Sequence, residues 1–416
     1  MRQLLISGLW LWSVTCAAAT LTVCPACPLG SITAAIAQAS AGDTIIVQAG
    51  TYREGNIVID KPVTLIGDGF PVLDGLGDTE VLTIVAHDVT VRGLQVQNVG
   101  TSYLEDRAGI RVRRSKRFAI IGNRLENTFF GIYLEHASDG EVRDNAVRGL
   151  AVNEMSSGNA IHLWYCKNVR VIDNEVSGHR DGIYFEFVDN SFISGNVSAD
   201  NLRYGLHFMF SNDDVYVHNT FRRNGAGVAV MFSREIDMYD NIFEYNWGKS
   251  SYGLLLKEIY DAEIERNVFH GNSIGILVEG STRINYRHNE FSRNGWAIKI
   301  SGGCLDNVVT NNNFVTNTFD LSISSNVNNN SFDGNYWSAY HGYDLDRDGI
   351  GDVPYRPVKL FNFIVNRTPE AIVLLRSLFI DLVNFSEKVS PVFTPKNVVD
   401  ARPHLTPFET RKTTGD

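Results

Sequence analysis

Methionine is nearly absent from this 416-residue chain: beyond Met1 there are only Met155, Met209, Met231 and Met238. Any thioether cluster must come from those four. Basic charge is also short, with 37 Lys and Arg against 47 Asp and Glu for a net charge of −10. That balance argues against a nucleic-acid surface. The one basic run, "RVRRSKR" at 111–117, reads as a solvated loop or strand face. No phosphate-binding G-x-x-x-x-G-K-[ST] loop occurs, so ATP hydrolysis belongs elsewhere. The apolar run near the start, "LLISGLWLWSV", is short for a membrane span.

That run, with Arg2 before it and "CAAAT" after it, reads as a secretory signal over residues 1–19, cleaved near Ala19. A retained anchor, or a lipid on Cys16, is the competing reading. Export implies an oxidising compartment, and four cysteines would remain. Of these, Cys24 and Cys27 in "CPAC" read as a tight disulfide or a soft-metal pair, with the disulfide favoured because no other ligand lies nearby. Cys166 and Cys304 stand alone.

What the chain has in quantity is one repeat. Glycine or alanine followed by a branched aliphatic residue recurs at 109, 131, 160, 182, 205, 227, 253, 275 and 297, in steps of 22, 29, 22, 23, 22, 26, 22 and 22. Fourteen residues after each start stands an asparagine, from Asn123 through Asn145, Asn174, Asn196, Asn219, Asn241, Asn267 and Asn289 to Asn311. Such a register predicts an all-β, right-handed parallel β-helix over 42–340, each coil stacked about 4.8 Å from the last. The asparagines are expected to take the left-handed corners and to bond along the axis. Residues 150–159 and 246–252 are inserted loops. Residues 20–41 should form an N-terminal cap, with a short helix in "PLGSITAAIAQA" at 28–39.

Beyond the repeat, residues 341–358 hold "DLDRDGIGD", with Asp344, Asp346, Asp348 and Asp352 at calcium-loop positions 1, 3, 5 and 9. Position 12 is Tyr355 rather than an acid, so an Asp/Gly-rich turn competes with a calcium site. In 359–416, residues 368–388 are expected to form one helix with Thr368 as N-cap and Pro369 at the first position. Ile372, Leu375, Phe379 and Leu382 make its apolar stripe, and Arg376 and Asp381 argue against a membrane span. The stripe either closes the end of the β-helix or docks on a membrane-bound partner. The tail after it reads as extended or disordered.

Counting each repeat start as offset zero, offsets 1 and 3 point inward and offsets 2 and 4 outward. His207 and Met209 then share an outer face about 7 Å apart, with Met231 one coil over Met209. An imidazole with two thioethers favours Cu(I), bound reversibly because sulfur need not lose a proton. The plain alternative is an amphipathic strip covered by a loop or partner. His162 lies two coils away, with Met155 in the neighbouring insertion. Met238 alternates with Ile236 and belongs to the core. Parallel β-helices also include carbohydrate enzymes, for which Asp181, Glu186, Asp213 and Asp214 are the available carboxylates. A lyase, epimerase or hydrolase is therefore the alternative reading, and a copper-independent scaffold a third.

The strings "DGIYFEFVDNSFISGNVSADNLRYGLHFMFSNDD", "GAGVAVMFS", "SSYGLLLKEI", "GYDLDRDGIGDVPYRPVKLF" and "LLRSLF" resemble the NosD family of periplasmic nitrous oxide reductase maturation proteins. The resemblance covers most of the exported chain. It implies a non-enzymatic protein that works with an ATP-binding-cassette transporter, NosF as ATPase and NosY as membrane subunit. It also implies a chaperone, NosL, that supplies Cu(I) for the copper sites of apo nitrous oxide reductase. The ligand set is not implied by it, and His207, Met209 and Met231 rest on the register alone.

Overall fold

A computed structural model describes residues 18–102, 104–324, 329–375, 377–389 and 398–409. Residues 1–17 of the predicted signal, Cys16 among them, lie outside the described residues, as does Arg376. The chain winds into a right-handed parallel β-helix with three sheets: sheet A of 14 strands, sheet B of 13 and sheet C of 12. Every named strand pair is parallel and joins one coil to the next; in sheet C, Tyr184 pairs with His207 and Glu186 with Met209.

Alternation sends Ile183, Phe185, Leu206 and Phe208 fully inside, as their offsets require. A ring column of Phe221, Phe243, Phe269, Phe291, Phe314 and Trp337 runs up the core, with neighbouring centroids 4.0–5.5 Å apart. Met238 is core, at 1% exposure. At the N-terminal end helix α1 (Ile32–Gln38) closes the core with Ile32, Ala35 and Ile36, and the Ser31 side chain caps it. Cys24 and Cys27 form the disulfide, while Cys166 and Cys304 are free and buried.

The corner asparagines are structural, but two details differ from the sequence reading. The left-handed residue is the one before each asparagine: Asp144, Asp173, His218, Asp240, Arg266 and His288 all have φ near +55°. The asparagine itself turns inward, and its carbonyl oxygen accepts both the backbone and side-chain amides of the asparagine one coil earlier, as Asn219 does from Asn196 at 3.0 and 2.9 Å. The second detail is Asn311, which takes the left-handed position (φ 56°) because the last coil is one residue longer. Asn312 carries the ladder on from Asn289. A second ladder, through Asn201, Asn224, Asn246, Asn272, Asn294 and Asn317, lines the corner between sheets B and C.

The C-terminal region departs furthest from expectation. Instead of one helix over 368–388 there are α2 (Leu360–Arg367), a 3₁₀ segment (Pro369–Leu374) and α3 (Leu378–Val389). Thr368 closes α2, which cannot continue because Pro369 lacks the amide the next helical bond would use, and Thr368 makes no side-chain cap bond to the 3₁₀ segment that follows. Residues 398–409 are ordered against the last coil. Asp400, fully buried, accepts from the amides of Gly334 and Asn335, from the Asn335 side chain and from the Trp337 indole. A ladder that passes donors along the axis needs an acceptor at its end, and Asp400 is that acceptor.

Candidate functional site

Strand Tyr204–Met209 lies at the middle of sheet C, between Asp181–Glu186 and Ala226–Met231. Its outward residues are His207 and Met209, and Met209 pairs in register with Met231. His207 is only 6% exposed although it faces outward. The Tyr184 ring meets it edge-on from the coil before (4.9 Å) and Tyr204 covers its other side (4.8 Å). Neither imidazole nitrogen has a hydrogen-bond partner. Burial holds its pKa down at about 4, so the ring is neutral and both lone-pair and N–H positions lack a polar contact. Such a buried orphan ordinarily costs on the order of 1–3 kcal/mol.

The thioethers stay half-exposed. The Tyr184 hydroxyl points at Met209 Sδ at 4.0 Å. Met231 is partly buried against a small apolar cluster of Ala226, Ala229, Leu255 and Tyr252, the last at the end of the 246–252 insertion. Neutral imidazole and polarisable thioether sulfur, here carried on one outer face, are donor types that suit Cu(I) better than a hard cation. Column neighbours extend the aromatic surround: His162 sits between Tyr133 (4.4 Å) and Tyr184 (4.7 Å), its Nε2 also unpartnered and its pKa pushed down to about 3 by burial. Its coil stays in register, so the 150–159 insertion does not carry it to His207, and Met155 is 89% exposed.

The register argument missed the tyrosines that enclose His207, and it stopped one offset short of the corner. Offset 5 reads Arg114, His136, Tyr165, Phe187, Phe210, Phe232, Glu258 and Gly280, all with φ between 50° and 59°. The five rings from His136 to Phe232 stack nearly parallel at 5.2, 4.5, 5.2 and 5.3 Å, beside Met209 and Met231. Reading that column from the sequence would have found them.

The carboxylates nominated for carbohydrate chemistry are not assembled. Asp181 is fully buried and gripped by Arg203 through two bonds of 2.9 and 2.6 Å, while Asp214 is buried where it accepts from the Ser191 amide. Asp213 turns an exposed corner and Glu186 is half-buried. Two of the four are thus engaged inside the protein.

In the Asp-rich loop, carboxylate oxygens of Asp344, Asp346 and Asp348 lie within 4.8 Å of one another, but Asp352 instead accepts from the Leu345 amide at 2.7 Å. Asp344 also accepts from the amides of Arg347 and Gly349, at 2.6 and 2.9 Å, and its pKa stays lowered despite some desolvation. The predicted docking stripe is divided by the helix break. Leu375 is half-buried against Phe319, Phe361, Val365 and Ile380, whereas Ile372, Phe379 and Leu382 are exposed. On α3 the exposed apolar line is Leu378, Leu382 and Phe385, and Ile380 is the side chain that turns inward. No described helix is long and apolar enough to cross a membrane.

The model of the family described as periplasmic copper-binding protein (NosD) matches residues 144–342, and that of a family of unknown function, DUF1565, matches 23–241. A protein of Pseudomonas aeruginosa named "Probable ABC transporter binding protein NosD" is 32% identical over 374 residues, covering 85% of this chain and 86% of its own length. This chain belongs to the NosD family. A relative of the same name from Stutzerimonas stutzeri is 30% identical over 375 residues, covering 85% of each chain. Both names describe binding proteins rather than enzymes. Among solved structures, the Dettilon tailspike protein (TM-score 0.55, 14% identical, 71% of this chain and 64% of that one) shares the fold. So does PfbA, a surface adhesin of Streptococcus pneumoniae (TM-score 0.51, 12% identical, 73% and 85%). At such identity these two speak for the fold alone.

Proposed function

We propose that this NosD-family chain is an exported carrier that receives Cu(I) on His207, Met209 and Met231 and presents it for assembly of the copper sites of nitrous oxide reductase. NosL is the donor in this reading, and apo nitrous oxide reductase the acceptor. The exposed side chains of the 3₁₀ segment and α3 (Ile372, Phe379, Leu382) meet the transporter built from NosF and NosY. The observation that carries the reading is a buried imidazole with both nitrogens bare, beside two half-exposed thioethers paired across adjacent coils. A soft ion would satisfy the imidazole, and the open thioether side would let it leave.

Competition against the chromophoric Cu(I) chelator bicinchoninate tests the site. The unchanged chain should take one Cu(I), and Met209→Leu/Met231→Leu should lose it while melting at the same temperature. Stoichiometric copper retained by that double variant sinks the site. The proposal also keeps calcium as a structural ion on Asp344, Asp346 and Asp348, whose mutual repulsion it would relieve. A melting temperature indifferent to millimolar calcium removes that part.

A further inference from the structure

An imidazole nitrogen by itself takes several first-row ions, and Cu(II) more tightly than the others. Selectivity for one of them must come from how the donors are presented. They are presented unequally here. Met209 and Met231 are half-exposed, whereas neither ring nitrogen of His207 is open to solvent or to any polar group. Three side chains enclose that ring. Tyr184 meets it edge-on from the coil before, Ala229 pairs with it on the coil after, and Tyr204 covers it at 4.8 Å from its own strand. Tyr204 is itself anchored. Its backbone amide donates to Asp181 Oδ1 at 3.3 Å, and the same buried carboxylate holds Arg203 through two bonds. The Arg203 guanidinium lies 4.8 Å from the centre of the Tyr204 ring, and Tyr252 stacks on that ring at 6.4 Å.

We infer that Tyr204, fixed beside the Asp181–Arg203 pair, is a specificity-determining residue: it screens the His207 imidazole from Cu(II) and other ions that seek nitrogen without thioether sulfur. The inference rests on the copper reading of His207, Met209 and Met231. Any ion that reaches the imidazole must displace the ring. Its apparent affinity is therefore reduced by the fraction of molecules in which the ring stands aside. That cost is the same for every ion. Cu(I) offsets it with bonds to two soft sulfurs, whereas Cu(II) and Zn(II) gain little from a thioether and are left with the covered imidazole alone. The route differs as well as the balance. Cu(I) on the open sulfurs waits beside the ring until it moves, while an ion without sulfur affinity must arrive from solution at that moment.

Titration with Cu(II), followed by electron paramagnetic resonance, tests the screen. Tyr204→Ala should gain one Cu(II) showing nitrogen hyperfine splitting, bound at least tenfold more tightly than in the unchanged chain. Tyr204→Phe keeps the ring and should behave as the unchanged chain does. Tyr204→Ala/His207→Phe should lose the new signal, which ties it to this imidazole. Cu(I) affinity, measured against bicinchoninate, should not fall in Tyr204→Ala. A Tyr204→Ala chain that melts normally yet gains no Cu(II) overturns the screen. So does a gained signal that survives His207→Phe, or an unchanged chain that already takes Cu(II) on His207. A tenfold loss of Cu(I) affinity in Tyr204→Ala also overturns it, because the ring would then belong to the binding site. Should Tyr204→Ala not fold, Tyr184→Ala uncovers the imidazole from the other side and is read in the same way. If the unchanged chain takes no Cu(I), the copper reading fails and the Cu(II) arm alone decides the screen.

Discussion

Two columns of the same coils treat polar groups in opposite ways. Along the corner, Asn196, Asn219 and Asn241 are fully buried, and each side chain both donates and accepts, down to the Asp400 carboxylate that ends the row. On the outer face of sheet C, His207 is almost as buried and makes no hydrogen bond at all. Both columns come from one repeat with one register. Position in the solenoid therefore does not decide whether a buried polar side chain is structural; satisfaction does. A closed ladder stabilises the fold, whereas the gap at His207 is the one the proposed copper ion would fill.

The largest effect should come from breaking the closed column. Asn219→Leu removes the acceptor for two amides of Asn196 and the donor to Asn241, leaving buried groups bare on both sides. A loss of about 3–5 kcal/mol is expected in urea unfolding. A loss under about 1 kcal/mol would mean that the neighbouring coils re-pair and that the ladder is not a stabilising unit.

The open column should respond the other way. His207→Phe keeps a planar ring between Tyr184 and Tyr204 while removing both unpartnered nitrogens, so stability should rise by roughly 1 kcal/mol. Copper affinity should fall at least a hundredfold in the same variant. The two measurements must move in opposite directions. If stability falls with affinity, His207 is an ordinary packing residue and the contrast between the columns is lost.

Much of this contrast was legible before any coordinates. Nine starts in register predicted which of Leu206, His207, Phe208 and Met209 face inward, because side-chain direction in a strand depends only on parity. The pairing of Met209 with Met231 followed by the same counting. Tertiary closure was not legible. Nothing local says that the Asp400 carboxylate folds back to end the ladder, since its partners lie more than sixty residues away. Nor does the 368–388 pattern reveal that Pro369 separates two helices, because α2 depends on packing against Phe319. Burial of His207 was hidden for the same reason: offset 2 says outward, and only the neighbouring tyrosines make outward mean enclosed.

A subtler test of the rule that satisfied groups stabilise lies between the columns, at Asp214. It accepts from the Ser191 amide at 2.7 Å and meets the Tyr216 hydroxyl at 3.4 Å, yet burial raises its carboxyl pKa well above the ordinary value. Below the unfolded pKa, about 3.9, both states hold the proton and the group costs nothing. As pH rises from there through the raised folded value, the unfolded chain has released its proton while the folded chain still holds it. Stability therefore falls across that interval, and the deficit is complete above it. Asp214→Asn keeps an acceptor for Ser191 and cannot ionise, so it should melt higher than the unchanged chain at pH 8. The gain should shrink steadily as pH is lowered through the folded pKa. A variant that melts lower at every pH would show that the carboxylate itself, and not merely an acceptor, is what the Ser191 amide and the Tyr216 hydroxyl require.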